Sequence, residues 1–163
     1  MSDSISTSLR PGDQQRDWRR RWTVLQANLS RLARRRHQQR SGDAIHLAGQ
    51  EFIDFWIAAY HLKDALIKDQ AAPGKIVEDA ITISSKLSLV ADLANLDKHR
   101  LPGSGHAPRS GAWPQLDFAD RSDGDGWVAQ VAIDQSSGTI DGTTFSDEVV
   151  KEWRALLTQW GLI

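Results

Sequence analysis

A chain of 163 residues, 40% of them hydrophobic, can bury one sizeable core and is short for two, so the expectation is one domain over residues 13–163 behind a Ser-rich arm at 1–12. With no cysteine it has neither a disulfide framework nor thiolate chemistry, and with no leader-like N-terminus and no run of 18 apolar residues it reads as cytoplasmic rather than exported or membrane-spanning. The formal charge of −1 conceals a segregation: ten of the twenty basic residues lie between Arg10 and Arg40, while Asp117, Asp120, Asp123, Asp125, Asp134, Asp141, Asp147 and Glu148 crowd the region after 110.

From residue 13 to about 40, Trp18, Trp22, Leu25, Leu29 and Leu32 recur at spacings of four and three, which predicts a helix with one narrow apolar stripe. The rest of that helix is largely arginine. Arg19, Arg20, Arg34 and Arg35 are the candidate contacts to nucleic acid, set against the plainer reading of a solvated face. Ser41, Gly42 and Asp43 break the pattern, and a second helix is expected from Glu51 to about Lys68. Phe52, Phe55, Ala58, Ala59, Leu62, Ala65 and Leu66 form its buried side, and Trp56 and Tyr60, off that stripe, imply cover on more than one side. Ala72-Pro73-Gly74 ends it and opens a short helix over Lys75 to Ile81. Ser84 or Ser85 can cap a fourth, expected to run to about His99 along Leu89, Leu93 and Leu96.

Residues 101–114 hold three prolines and three glycines and read as a loop. The period then alternates, predicting a β-hairpin over 126–145, with Trp127 to Asp134 pairing with Thr139 to Phe145. Ser146 is the expected cap of a final helix burying Val149, Val150, Trp153, Leu156, Leu157 and Trp160. The fold class is therefore mainly α, a helical bundle with a small C-terminal hairpin and a last packing helix.

One polar constellation stands out. At about 100° per residue, Asp92, Asn95 and His99 share a narrow stripe beside Leu89, Leu93 and Leu96, and His61, Asp64 and Lys68 form a similar stripe on the second helix. Packed together, the two helices would flank a groove with two imidazoles, two carboxylates, an amide and Lys98. An imidazole held by a carboxylate moves protons near neutral pH, and an amide with a lysine can orient a phosphate. The candidate catalytic residues are His99, His61, Asp92 and Lys98. Asp64, Asn95, Lys68 and the loop residue Trp113 are candidate binding residues. The alternative is a structural network between the helices, with His61 bonded to Asp92. No cofactor is expected, and no metal either: His61, Asp64, Asp92 and His99 could in principle supply four ligands, but the sequence has neither the Glu-x-x-His pairs of dimetal bundles nor the His-Glu-x-x-His zinc helix. Asp123-Gly124-Asp125-Gly126 lacks the twelve-residue calcium pattern and reads as a turn.

The segment from Phe55 through His61-Leu62-Lys63-Asp64, followed by Asp92-Leu93-Ala94-Asn95-Leu96-Asp97-Lys98-His99, resembles a group of small bacterial and phage proteins related to the HEPN superfamily. The resemblance covers about residues 50 to 100, with a weaker echo in the last helix. It implies a helical bundle that commonly dimerises, in toxin–antitoxin or phage-defence settings. Active HEPN ribonucleases carry an arginine four to six residues before a histidine at a helix end. No arginine lies between Arg40 and Arg100, so His99 does not complete that pair. Arg31 with His37, Arg40 with His46 and Arg100 with His106 have the spacing in the wrong places. The resemblance therefore implies a non-catalytic or regulatory module that forms a homodimer, burying Trp18, Trp22 and Leu25 at an interface, and binds a protein or RNA partner. The alternatives are a metal-independent endoribonuclease using His61 and His99, and a nucleotide or small-molecule binder with Trp113 as a stacking wall.

Overall fold

The computed structural model describes residues 16–35, 42–95, 115–120, 127–132 and 138–163. Among them are five helices and one sheet, in the order α1 (Asp17–Arg35), α2 (Gly42–Lys68), α3 (Gly74–Ile83), α4 (Ser85–Ala94), β1 (Gln115–Asp120), β2 (Trp127–Ala132), β3 (Thr139–Asp141) and α5 (Gly142–Gln159). The molecule is mainly helical, as its periodicity predicts. None of the described helices is long and apolar enough to cross a membrane.

α1 and α2 form an antiparallel pair. The start of α1 is tied to the end of α2, where the Trp18 N–H donates to Asp69 Oδ2 at 3.0 Å. Asp69 thus satisfies one of the amides that a helix N-terminus leaves without an intrahelical acceptor. Trp18, Trp22, Leu25 and Leu32 are buried, and Leu29 packs against them. These side chains fill the chain's own core, which corrects the expectation that Trp18, Trp22 and Leu25 cover an intersubunit surface.

α2 is the central element. It begins at Gly42, earlier than the expected Glu51, because Ala48 is buried and Gly49 lies against the Phe118 ring. Phe52, Phe55, Trp56, Ala59, Leu62, Ala65 and Leu66 are buried, so α2 is covered on more than one side. α4 is short and almost wholly enclosed, with every residue from Leu87 to Leu93 buried. Ser84 caps it by accepting from the Leu87 N–H at 3.2 Å. Its other end is Ala94, with Asn95 as the C-cap, and the rest of the expected run to His99 lies outside the described residues.

The expected hairpin is a three-stranded antiparallel sheet in the order β1-β2-β3. Leu116 pairs with Val131 and Val131 with Ile140, while Phe118 pairs with Ala129. This register puts one alternating face, including the buried Ala129 and Val131, against α2 and α5. The hairpin expectation stretched the last strand to Phe145. Instead Thr143, Thr144 and Phe145 already belong to α5, because the Asp141 carboxylate accepts from the Thr144 N–H at 2.7 Å and caps the helix there. Ser146, the expected cap, is buried in the first turn and donates to the Gly142 carbonyl at 2.8 Å. The turn expected around Ser136, like the loop over 101–114, lies outside the described residues.

Candidate functional site

The polar stripe on α2 is folded inward upon itself. His61 Nδ1 and Asp64 Oδ2 share a hydrogen bond of 2.6 Å across one helical turn, with the two side chains 41% and 53% exposed. The imidazole is therefore oriented by Asp64, one turn away on its own helix, rather than by Asp92. The Tyr60 ring lies beside it, tilted by 55° with the ring centroids 5.5 Å apart. Lys68, the third member of the stripe, is exposed at the end of α2 and close enough to α1 to lower the Asp17 pKa by its charge.

Between His61 and Asp64 lies a residue that the sequence reading did not single out. Lys63 is nearly buried, and its ammonium donates to Glu78 Oε1 of α3 at 2.6 Å while sitting 4.8 Å from the centre of the Tyr60 ring. Burial pushes this ammonium towards neutrality, but the Glu78 hydrogen bond, the neighbouring Tyr60 and the charges of Glu78 and Asp64 outweigh it, so the pKa is raised. Lys63 fastens α3 to α2 as a charged strut. A signal for it existed in the sequence: Glu78 is the acid on a short helix that the Pro73-Gly74 turn brings back over α2.

On α4 the geometry differs from the expected border stripe. Asp92 is 6% exposed and belongs to the enclosed side of the helix. Asn95 is partly buried and turns its Nδ2 back to the Ala91 carbonyl at 2.6 Å, closing its own helix end. His99, Lys98 and Trp113 lie outside the described residues, as do the arginine–histidine matches at His37 and His106. Among the described residues no three His, Asp or Glu side chains gather as a metal-binding group.

Arg19, Arg20, Arg21, Arg31 and Arg34 of α1 are exposed. Arg21 bonds Asp17 at 2.9 Å, and this hydrogen bond holds the Asp17 carboxyl below its usual range. Arg20 lies 3.6 Å from the same carboxylate, and Arg19 lies over the Trp18 ring at 4.9 Å. Arg34 is exposed, and nothing is described of the Arg35 side chain.

A concave surface with an apolar lining lies elsewhere. Ile76, Asp79, Ala80 and Ile83 of α3, the Ser84-Ser85-Lys86 turn and Glu152, Leu156, Gln159 and Trp160 at the end of α5 line a groove of about 620 Å³. Its apolar residues are unusually wet: Ile83 is 84% and Ile76 46% exposed. α3 carries two seams, one through Val77 and Ile81 into the core and another through Ile76, Ala80 and Ile83 into solvent. The second seam has the same spacing of four and three as a buried one and could have been found in the sequence by that sign. No protein-family model, curated protein or solved structure matches this chain.

Proposed function

We propose that this chain is a non-catalytic, HEPN-like helical module that works by binding, and that it pairs with a second copy of itself through the α3–α4–α5 groove. The observation that carries this reading is Ile83. A β-branched aliphatic side chain 84% exposed beside an open groove lined by Ile76, Leu156 and Trp160 is a knob next to a hole. A twofold axis at the groove's edge sets each knob into the opposite hole, and such an isologous contact needs both signs of charge on one rim. Lys86 supplies one sign; Asp79, Glu148 and Glu152 supply the other. The polar stripes support binding over chemistry, since Asp64 and Asn95 spend their groups on neighbours in their own helices.

Sedimentation velocity across a concentration series tests the pairing. Burying Ile83 twice in a symmetric contact contributes about 3 kcal/mol or more. Ile83→Glu is expected to weaken self-association by at least about a hundredfold while leaving the helical circular dichroism unchanged. A chain that stays monomeric at every concentration, or a variant that associates as well as the parent, refutes it.

A second reading, a metal-independent endoribonuclease, rests on the solvent-facing His61–Asp64 pair at 2.6 Å. It requires RNA cleavage in EDTA that His61→Ala abolishes.

A further inference from the structure

α1 has a second seam, on the side away from the core. At about 100° per residue, Arg20, Ala27, Arg31 and Arg34 fall within about 60° of one another, opposite the stripe of Trp18, Trp22, Leu25, Leu29 and Leu32. All four are exposed. Arg31 and Arg34 have no ion pair among the described residues, and Arg20 competes with Arg21 for the single carboxylate of Asp17. On the flank facing α5, Arg19 is held over Trp18, and Arg154 lies 6.0 Å from the Trp22 ring with its Nη2 donating to the neutral Gln26 Oε1 at 3.0 Å. Asp147 of α5, which lines a hollow with Leu29, Ser30 and Ala33 of α1, pairs with Lys151 at 2.5 Å. The result is a strip of five guanidinium groups with little acidic compensation.

We infer that this strip binds the backbone of a DNA duplex, independently of self-association through the groove. Cations of this density call for a polyanion, and guanidinium forks match phosphate oxygens. The placement of the charges favours a duplex. Arg20 and Arg31 are separated by 11 residues, or about 16 Å along the axis, and the exposed residues between them on this face, Thr23, Val24, Ala27 and Ser30, are small and uncharged, while Arg21 stands to one side, bonded to Asp17. A helix laid over a groove about 12 Å wide brings its charged ends onto the phosphates of both strands and its small middle over the opening. Single strands are disfavoured because they are held by stacking on aromatic rings, and both tryptophans of α1 are buried. The RNA duplex is disfavoured because its deep, narrow major groove does not admit a helix. Contacts of this kind go to phosphates and carry no base reading, so the binding is sequence-independent.

The test is fluorescence anisotropy of the full chain with a labelled 20-base-pair DNA duplex between 50 and 200 mM salt, beside an RNA duplex and a single strand of the same sequence. With about four phosphates neutralised, affinity for the DNA duplex is expected to fall on the order of a hundredfold over that range. In Arg31→Gln/Arg34→Gln the fall shrinks to about tenfold. Both side chains are exposed and the variant's melting curve is expected to match the parent's. Lys75→Gln, which removes an exposed charge on α3 outside both the strip and the groove lining, is expected to retain the parent's salt dependence. No binding to the DNA duplex at 50 mM salt, tighter binding to the single strand or the RNA duplex, or a flattening of the salt dependence in Lys75→Gln equal to that in the arginine double variant each overturns the inference.

Discussion

At Gly142 a β-carbon would stand 3.1 Å from Ala129 Cβ, 3.2 Å from Phe52 Cε1 and 3.3 Å from the Ala129 carbonyl oxygen. Here the start of α5 presses against β2 and α2, and the absence of a side chain lets three elements converge. Gly142→Ala is expected to lower stability by about 1 to 3 kcal/mol, as overpacking of a filled interior does, measured by urea unfolding. Lys63 makes a different demand. Because its pKa is raised in the folded chain, the stability it contributes is fully present below its unfolded value of about 10.5 and is lost as pH climbs through the higher folded value. The stability gap between parent and Lys63→Met is therefore expected to shrink between pH 9 and 12, and a constant gap would mean that only packing is involved. Neither residue announces its role in the sequence. Gly142 follows Asp141 as an ordinary turn glycine would, and the burial of Lys63 depends on where α3 folds back.

Helix α1 owes the order of its first turn to a residue 51 positions away. Asp69 lies just beyond the end of α2 and caps α1 in trans, so Asp69→Ala is expected to cost about 1 kcal/mol and to speed hydrogen exchange at the first turn of α1 selectively. The helices themselves were legible because each carries a stripe of spacing three and four wide enough to bury. Their ends were less so, since caps can come from distant side chains or, like Asp141, from the residue that also ends a strand. β1 escaped notice for a related reason. Only Leu116 and Phe118 alternate within six residues, and it is Phe118, 6.5 Å from the Phe52 ring, that ties the strand to α2. The polar constellation was legible as composition but not as geometry. One hydrogen bond turns His61 towards Asp64, while the enclosure of α4 removes Asp92 from the border it was assigned.

Across the molecule, α5 divides two surfaces of opposite character. One flank meets α1 and its arginines through Arg154, and the other forms the groove wall through Glu152, Leu156 and Trp160. Pairing through the groove leaves the α1 strip of each copy outside the contact, so a dimer would present two cationic strips. The indole N–H groups of Trp18, Trp56 and Trp153 are enclosed with no acceptor among the described residues, and these rings stay in the same apolar surroundings until the chain unfolds. Trp160 is only half-buried, on the groove wall. The protein thus carries its own optical gauge. Subtracting the emission of Trp160→Phe from that of the parent isolates the groove indole, whose spectrum is expected to move to shorter wavelength as concentration rises and a second copy replaces water above it. The core indoles would shift only on unfolding, so association and loss of structure would be read without any label as two separate colours.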